Sequence, residues 1–265
     1  MTAAISPFAT SLARIGCDAG RVILDHYARG VVARAKADAS PVTHADEDAE
    51  ALIIARLREL APDIPAIAEE AMAAGEIPPT LGARFFLVDA LDGTKEFLAG
   101  NGEFTVNIAL IENGAPALGI VLAPALSVLF IGDARDGAFE IAAPADSPLD
   151  FSGARAIRAR PAPGDGLVAA VSRTHRDKKT EEYLAHYRIK RMIASGSSLK
   201  FCMVAKGDAD IYPRHGRTME WDTAAGHAVL QAAGGSVTKL DGSPFTYGKA
   251  SENFANPHFI ARGRA

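Results

Sequence analysis

Two carboxylates, Asp89 and Asp92, follow an apolar run in the segment FFLVDALDGT at residues 85–94. The run predicts a strand that ends at these side chains, and Gly93 permits a tight turn that lets them converge beside Thr94. Carboxylate oxygens are hard ligands that suit Mg²⁺, and backbone amides at the start of the following helix-prone segment offer donors to a phosphate. The segment indicates a metal and phosphate site; the alternative is an ordinary Asp-Gly turn with solvated carboxylates.

Three other segments place carboxylates where a predicted element begins or ends. The pair Glu69-Glu70 follows the predicted strand IPAIA, where paired acids cost free energy unless a cation binds them. Asp222 starts a predicted helix in WDTAAG, and Asp46 lies in the first turn of another helix. Each has an ordinary alternative, which is surface charge for the glutamates and helix capping for the aspartates. Their joint presence in one chain favours a shared site.

Helices and an antiparallel sheet would position the first of these carboxylates. Apolar residues recur every three or four positions from Ile5 to Ile23 and within 43–60, which predicts two amphipathic helices. After the strand FFLVDALD, the runs FTVNIALI, ALGIVLA and LSVLFIG predict an antiparallel meander. The polar, proline-rich residues 71–83 are predicted to form a loop.

Strand and helix alternate in the rest of the chain. GLVAAVS, KRMIAS, ADIYPR and NPHFIARG are predicted strands, and SSLKFCMVAKG and WDTAAGHAVLQAAGG are predicted helices. The segment 142–153 has no periodicity and is rich in Pro, Ser and Asp, so we place a domain boundary there. We predict an α/β protein with an α+β domain over 1–145 and an α/β domain over 146–265.

Length, composition and charge limit the class of protein. The 265 residues carry a formal net charge of −4, and 48% of them are hydrophobic, which is ordinary for a globular chain. The acidic balance argues against a nucleic-acid polymer as partner. The sequence has neither a secretory signal nor an apolar run of about 18 residues, so we expect a cytoplasmic protein without a transmembrane segment. Peripheral attachment to the inner membrane, and the choice between monomer and homodimer, stay open.

Together the acidic segments resemble the inositol monophosphatase superfamily of Mg²⁺-dependent phosphatases. Its signatures are an acidic pair after a strand, an Asp-Pro-hydrophobic-Asp-Gly-Thr turn and Trp-Asp-x-Ala-Ala-Gly before a helix, and these occur here in order. The stretches LVDALDGTKEF, NGEFTVNIALI, VSRTH, GSSLKFCMVAKGDADIYPR and EWDTAAG are most similar to its 3'(2'),5'-bisphosphate nucleotidase branch, the CysQ type. The resemblance implies the layered αβαβα sandwich of that superfamily, with a metal centre between the two domains.

The resemblance also assigns the metal ligands. It gives Glu69, Asp89 and the Leu91 carbonyl to one Mg²⁺, and Asp89, Asp92 and Asp222 to a second. A third, weaker ion near Glu69 stays open, so two or three Mg²⁺ are expected per active site.

The catalytic groups follow from the same resemblance. Thr94, polarised by Asp46, would orient the attacking water and help to deprotonate it, and Glu69 is counted with them as catalytic. The backbone amides of Gly93 and Thr94 would bind the scissile phosphate.

Two positions depart from the family pattern. Residue 90 is Ala where Pro is usual, and Pro would help to aim the Leu91 carbonyl at the metal. Ala90 leaves that carbonyl less constrained, so we expect a modest effect on metal affinity without loss of activity. Arg217 stands where Pro is common in this branch, with no expected consequence for the chemistry.

A 3',5'-bisphosphorylated adenosine has a second phosphate and a flat base, so its pocket needs cations and small or apolar surfaces. Lys200, Arg173 and Arg214, in that order, are the candidates for the second phosphate. The Ser/Gly run that contains Ser197 offers donors to the nucleotide, and Asp222 is assigned to the substrate as well as to the metal. The ordinary alternatives are a helix cap and turn for the serines and a solvated strand end for residues 173–175.

The expected activity is hydrolysis of the 3'-phosphate of adenosine 3',5'-bisphosphate to AMP and phosphate, with 3'-phosphoadenylyl sulfate as a further substrate and a link to sulfur assimilation. The nearest alternative is an inositol-1-monophosphatase or a fructose-1,6-bisphosphatase with the same metal centre. A non-catalytic phosphometabolite-binding protein on this fold is the alternative from another class. Such proteins typically lose metal carboxylates, whereas this chain keeps those the resemblance assigns.

Overall fold

Side-chain caps begin the first two helices where the apolar spacing predicts them. The Ser6 hydroxyl accepts the N–H of Ala9, and the Thr43 hydroxyl accepts the N–H of Ala45. The computed structural model describes residues 5–30, 34–35, 41–174 and 177–264. Its α-helices are α1 Pro7–Arg29, α2 His44–Leu60, α3 Glu69–Ala73, α4 Thr94–Leu98, α5 Lys178–Leu184, α6 Leu199–Ala205 and α7 Glu220–Ala232. No helix among these ranges is both long and apolar enough to span a bilayer.

The antiparallel meander is present and is longer than predicted. It belongs to a seven-stranded sheet in which the first two strands are parallel and every later neighbour is antiparallel. Its strands, in spatial as well as chain order, are β3 Ala66–Ala68, β4 Arg84–Asp92, β5 Thr105–Glu112, β6 Ala115–Ala123, β7 Val128–Asp133, β8 Gly137–Ala142 and β9 Arg155–Ile157. Strands β8 and β9 were not predicted. A two-stranded pair, β1 Arg34–Ala35 and β2 Pro41–Val42, lies outside this sheet.

A second, five-stranded sheet contains the alternating part of the chain. Its strands are β10 Leu167–Ser172, β11 Ile189–Ser195, β12 Ile211–Arg214, β13 Ser236–Lys239 and β14 Phe259–Arg262. Their spatial order is β11-β10-β12-β14-β13, with β10 parallel to both of its neighbours and β14 antiparallel to both of its own. The sequence had not indicated β13. The division into domains at residue 145 stays a prediction.

Successive side chains of the larger sheet point to its opposite faces, and each face packs against a different set of helices. Phe86 and Val88 of β4 pack in one core with α1 and α2, whereas Phe85 and Leu87 pack in another with α6 and α7. The second sheet shares that other core on one face and packs its opposite face against Leu184 of α5. The order is therefore helices, sheet, helices, sheet, helix, which confirms the predicted αβαβα sandwich.

One local prediction is wrong. Residues 71–83 were expected to form a loop, but α3 extends to Ala73. Its first turn is capped by Glu50 of α2, whose carboxylate accepts the backbone N–H groups of Glu70 and Ala71. Because this cap comes from another element, the local sequence pattern does not contain it.

Two glycines let α7 lie directly on the larger sheet. Gly119 of β6 and Gly132 of β7 are paired neighbours, and both face α7. A Cβ atom on Gly132 would lie 2.3 Å from the Cα atom of Val229, and one on Gly119 would lie 2.4 Å from the Ala225 carbonyl oxygen. These backbone contacts cannot yield as a flexible side chain would, so the glycines set the position of α7.

We expect Gly132→Ala to destabilise the fold by about 1–3 kcal/mol, because the added methyl group overpacks the contact with α7. The check is the midpoint of thermal unfolding, which should fall by several degrees. Gly153→Ala is the matched control, since a Cβ atom there meets open space. Equal shifts in the two variants would contradict this account.

Candidate active site

Carboxylates from three elements meet at one point. Glu69 is the first residue of α3, immediately after β3, Asp89 lies in β4, and Asp222 lies in the first turn of α7. One carboxylate oxygen of each lies within 4.8 Å of the others. The parallel pairing of β3 with β4 brings the first two together, and the close approach of α7 to the sheet adds the third.

Burial and like charge make this cluster of carboxylates cost folding free energy when no cation is bound. Burial, followed by the nearby carboxylates of Glu69 and Asp92, raises the pKa of Asp89 well above its usual range. Burial and the carboxylates of Asp92 and Glu69 do the same to the pKa of Asp222. A divalent cation would relieve both effects, and an oxygen-only donor set favours hard cations. The residues present therefore fit a divalent metal centre.

Asp92 connects the two sheets. Its Oδ2 atom accepts hydrogen bonds from the Ser197 hydroxyl at 2.6 Å, the Ser198 backbone N–H at 2.8 Å and the Asn107 amide at 3.4 Å. Among the residues the structure describes, none donates to its Oδ1 atom, so that oxygen remains for a cation. Burial raises the pKa of Asp92, and the hydrogen bond from Ser197 opposes that shift. The sequence predicted nucleotide contacts for Ser197 and missed this bond to Asp92.

The turn after β4 places a hydroxyl beside the carboxylates. Gly93 adopts φ 93° and ψ 42°, a left-handed conformation that suits glycine. The Thr94 hydroxyl lies 3.3 Å from Asp46 Oδ1, to which it donates, and 3.5 Å from the Leu91 carbonyl oxygen. Asp46 Oδ2 accepts the Thr43 backbone N–H at 2.8 Å. Asp46 therefore stabilises the start of α2 and also contacts Thr94, and its catalytic role stays a prediction.

Thr94 is expected to orient the attacking water and help to deprotonate it, and on that expectation Thr94→Val should reduce kcat by about 10²–10³-fold, within the range of about 10²–10⁴-fold that general acid–base groups contribute. Valine has nearly the same shape as threonine and lacks the hydroxyl that Asp46 polarises. Thr94→Ser keeps the hydroxyl and is expected to stay within a few fold of the parent. Steady-state phosphate release at saturating substrate measures both. A valine variant as active as the serine variant would contradict the assignment.

A cavity of about 380 Å³ opens beside these groups and lies between the two sheets. The predicted site residues on its wall are Glu69, Asp89, Leu91, Asp92, Gly93, Thr94, Arg173, Ser197, Lys200, Arg214 and Asp222. Phe201, Tyr212 and Arg217 also line it. Arg217, for which no consequence was expected, also contributes a cation to this wall.

Lys200 is buried at the wall of the cavity. Its Nζ atom donates to the carbonyl oxygens of Ser195, at 3.2 Å, and Ser197, and lies 5.3 Å from the centre of the Tyr212 ring. Burial lowers the pKa of Lys200 to about 8, and the nearby carboxylate of Asp92 opposes the shift. The Lys200 ammonium is therefore held close to the loop that contacts Asp92.

The other predicted cations differ in what they bind. The Arg173 guanidinium forms two 2.7 Å bonds to the carboxylate of Glu103, which also accepts the Gly196 backbone N–H at 2.8 Å. The Arg214 Nη1 atom donates to the Ser172 hydroxyl at 2.6 Å. Of the predicted strand end at 173–175, Thr174 donates to Glu96, and residue 175 lies outside the described residues.

Comparison with known proteins identifies close relatives. The inositol monophosphatase family model matches residues 5–264. The chain is 44% identical over 245 residues to the 3'(2'),5'-bisphosphate nucleotidase CysQ of Escherichia coli O157:H7, covering 91% of this chain and 94% of that protein. It is 45% identical over 225 residues to the protein of the same name from Escherichia coli K12, covering 84% and 86%.

A solved structure agrees with these relatives. The crystal structure of CysQ from Bacteroides thetaiotaomicron, a bacterial member of the inositol monophosphatase family, superposes with a TM-score of 0.80 at 35% identity and covers 97% of each chain. Enzymes of this family use divalent metals, in agreement with the acidic cluster. By sequence, fold and site, this chain belongs to the inositol monophosphatase family.

Proposed function

We propose that this protein is a Mg²⁺-dependent 3'(2'),5'-bisphosphate nucleotidase that hydrolyses the 3'-phosphate of adenosine 3',5'-bisphosphate to give AMP and phosphate. One observation carries the proposal: a single cavity is lined both by the clustered carboxylates and by the cations Lys200 and Arg214. A doubly phosphorylated substrate uses both parts, and the names of the relatives supply the substrate class. The proposed setting is the cytoplasm, in sulfur assimilation, with 3'-phosphoadenylyl sulfate as a second substrate.

The proposed metal centre uses the carboxylates already described. Glu69, Asp89 and the Leu91 carbonyl would hold one Mg²⁺, and Asp89, Asp92 and Asp222 a second, with a weaker third ion near Glu69. When bound, two such cations lower the pKa of a water molecule and neutralise charge on the attacking and leaving oxygens. The raised pKa values of Asp89 and Asp222 support this assignment, because burial and the neighbouring carboxylates outweigh the opposing charge of Arg214 at Asp222.

The remaining chemistry is done by the chain itself. Because the Thr94 hydroxyl donates a hydrogen bond to Asp46, the Thr94 oxygen can accept a hydrogen bond from the attacking water and orient it. The backbone amides of Gly93 and Thr94 would bind the reacting phosphate. Lys200 and Arg214 would bind the second phosphate, and we place Arg173 after them because its guanidinium is engaged by Glu103.

Phe201 and Tyr212 contribute to the wall of the same cavity, and both side chains are almost fully buried. Their rings lie 5.2 Å apart and nearly perpendicular, which fixes their orientation in the wall. A pocket with a few placed polar groups and an aromatic wall is typical of small-molecule sites.

The test compares phosphate release from adenosine 3',5'-bisphosphate, inositol 1-phosphate and fructose 1,6-bisphosphate with Mg²⁺ and then with EDTA. The expected result is the highest kcat/KM on the nucleotide and no turnover with EDTA. A preference for inositol 1-phosphate or fructose 1,6-bisphosphate would overturn the substrate assignment. Phosphate release that persists in EDTA would overturn the metal dependence.

A variant separates the two phosphate sites. Lys200→Met keeps the apolar stem beside Tyr212 and removes the charge, so it should raise KM for adenosine 3',5'-bisphosphate by about 10- to 100-fold, the value of a charge-assisted hydrogen bond. KM for adenosine 3'-monophosphate, which lacks the second phosphate, should change little. Lys206→Met, which removes a lysine outside the cavity, is the matched control. Equal losses on both substrates would contradict the role of Lys200.

A further inference from the structure

Two buried carboxylates lie one turn apart on α2, and each contacts a different part of the active site. Asp46 accepts a hydrogen bond from the Thr94 hydroxyl. Glu50, which is 5% exposed, accepts the backbone N–H of Glu70 at 2.8 Å through one oxygen and that of Ala71 at 2.7 Å through the other. Residues four apart on a helix share a face, so α2 presents both carboxylates to the same side.

The segment that Glu50 holds begins with a proposed metal ligand. α3 is a five-residue helix whose N-cap residue, Ala68, provides no side-chain cap. The first N–H groups of a helix have no partners within it, and here a carboxylate from α2 supplies them. Glu69 directly precedes the two amides, and its side chain reaches the cluster formed with Asp89 and Asp222.

Glu50 acts from outside the cluster. Among the described residues it is neither one of the three clustered carboxylates nor part of the cavity wall. It therefore affects the proposed metal centre through the backbone of residues 69–71. Residues that orient a ligand without touching the metal commonly change metal affinity by about 10- to 100-fold when they are replaced.

We propose that Glu50 is a positioning residue for the metal centre: it fixes the backbone of residues 69–71 so that the Glu69 carboxylate meets those of Asp89 and Asp222. This inference rests on the Mg²⁺ site of the proposed function. It does not depend on the identity of the organic substrate.

Glu50→Gln tests the proposal with little change of shape, because glutamine keeps one acceptor and presents an N–H₂ group to the other amide. The expected result is a Kd for Mg²⁺ about tenfold weaker, measured by titration calorimetry without nucleotide. At saturating Mg²⁺, KM for adenosine 3',5'-bisphosphate should stay unchanged and kcat should return to within a few fold. Glu59→Gln removes an exposed carboxylate from the same helix and should leave Mg²⁺ affinity unaltered.

A double-variant cycle shows whether Glu50 acts through Glu69. If it does, Glu50→Gln should weaken Mg²⁺ binding in the parent and add nothing further in a Glu69→Gln background. Parent-like Mg²⁺ affinity in Glu50→Gln, or a further tenfold loss in the double variant, would overturn the proposal. So would equal losses of thermal stability in Mg²⁺ and in EDTA with unchanged Kd, which a purely structural role predicts. Glu50→Asp, with the charge kept on a shorter stem, carries the same expectation if Glu50→Gln does not fold.

The two proposals fail separately. A preference for inositol 1-phosphate combined with weaker Mg²⁺ binding in Glu50→Gln would overturn the substrate assignment and support the positioning role. Preferred hydrolysis of the nucleotide combined with parent-like Mg²⁺ affinity in Glu50→Gln would support the substrate assignment and overturn the positioning role.

Discussion

Asp92→Asn is expected to reduce kcat for phosphate release from adenosine 3',5'-bisphosphate by about 10³-fold, equivalent to about 4 kcal/mol of lost transition-state stabilisation. Asparagine keeps a side-chain oxygen to accept the hydrogen bonds from Ser197 and Ser198, so the contact between the two sheets is retained. It removes the negative charge that the proposed second Mg²⁺ requires. Steady-state phosphate release at saturating substrate and Mg²⁺ measures the effect.

Two comparisons separate lost chemistry from lost folding. Asp63→Asn replaces an exposed aspartate on the surface and should retain full activity. The Asp92→Asn protein should unfold at or above the parent's temperature in EDTA, because a buried like charge has been removed. Unchanged phosphate release in Asp92→Asn would mean that the proposed metal centre is wrong.

Adding Mg²⁺ to EDTA-treated protein should raise its unfolding temperature by about 5–10 °C at pH 7. A cation at about 100 times its Kd stabilises the fold by about 2.7 kcal/mol, and each kcal/mol shifts the midpoint by about 2–4 °C in a chain of this size. The effect should be much smaller in Asp89→Asn, which loses a carboxylate proposed for both ions. Differential scanning calorimetry of the two proteins provides the measurement.

The same cluster predicts an inverted pH dependence in EDTA. Asp89, Asp92 and Asp222 have pKa values raised above the ordinary 3.8 in the fold. A group of this kind stabilises the fold fully below its unfolded pKa, and that contribution is lost as pH rises through the folded pKa. EDTA-treated protein should therefore become more stable as pH falls from 8 towards 5, and saturating Mg²⁺ should remove this trend. A free energy of unfolding in EDTA that decreases as the pH is lowered from 8 to 5 would contradict the prediction.

The acidic turn could be predicted from the sequence because its parts are neighbours in the chain. The apolar run before Asp89, the glycine at 93 and the hydroxyl at 94 indicate a strand, a turn and their ligands within one short segment. The helix that carries Asp222 could be predicted equally well, since small residues follow Asp222 and a glycine pair ends the helix. The layered fold came from the resemblance of several such segments, because local patterns do not determine how sheets stack.

The contacts across the cavity could not be predicted, because their partners are distant in sequence. Arg173 was expected to contact a phosphate, yet it pairs with Glu103, which is 70 positions away. Ser198 donates to Asp92 from 106 positions away. Short strands such as β9 and β13 carry too few residues for a periodic pattern to indicate them.

The position of α7 between the two sheets also determines the order in which this protein can fold during synthesis. The strands up to β8 end at Ala142, and α7, which covers their second face, is complete only at Ala232, 90 residues later. At about 5–20 residues per second, the ribosome needs about 5–20 s to make that interval. During this time the apolar face that includes Leu87, Ile111 and Phe130 lacks its cover. The nascent sheet should therefore keep this face exposed until the helix that carries Asp222 emerges.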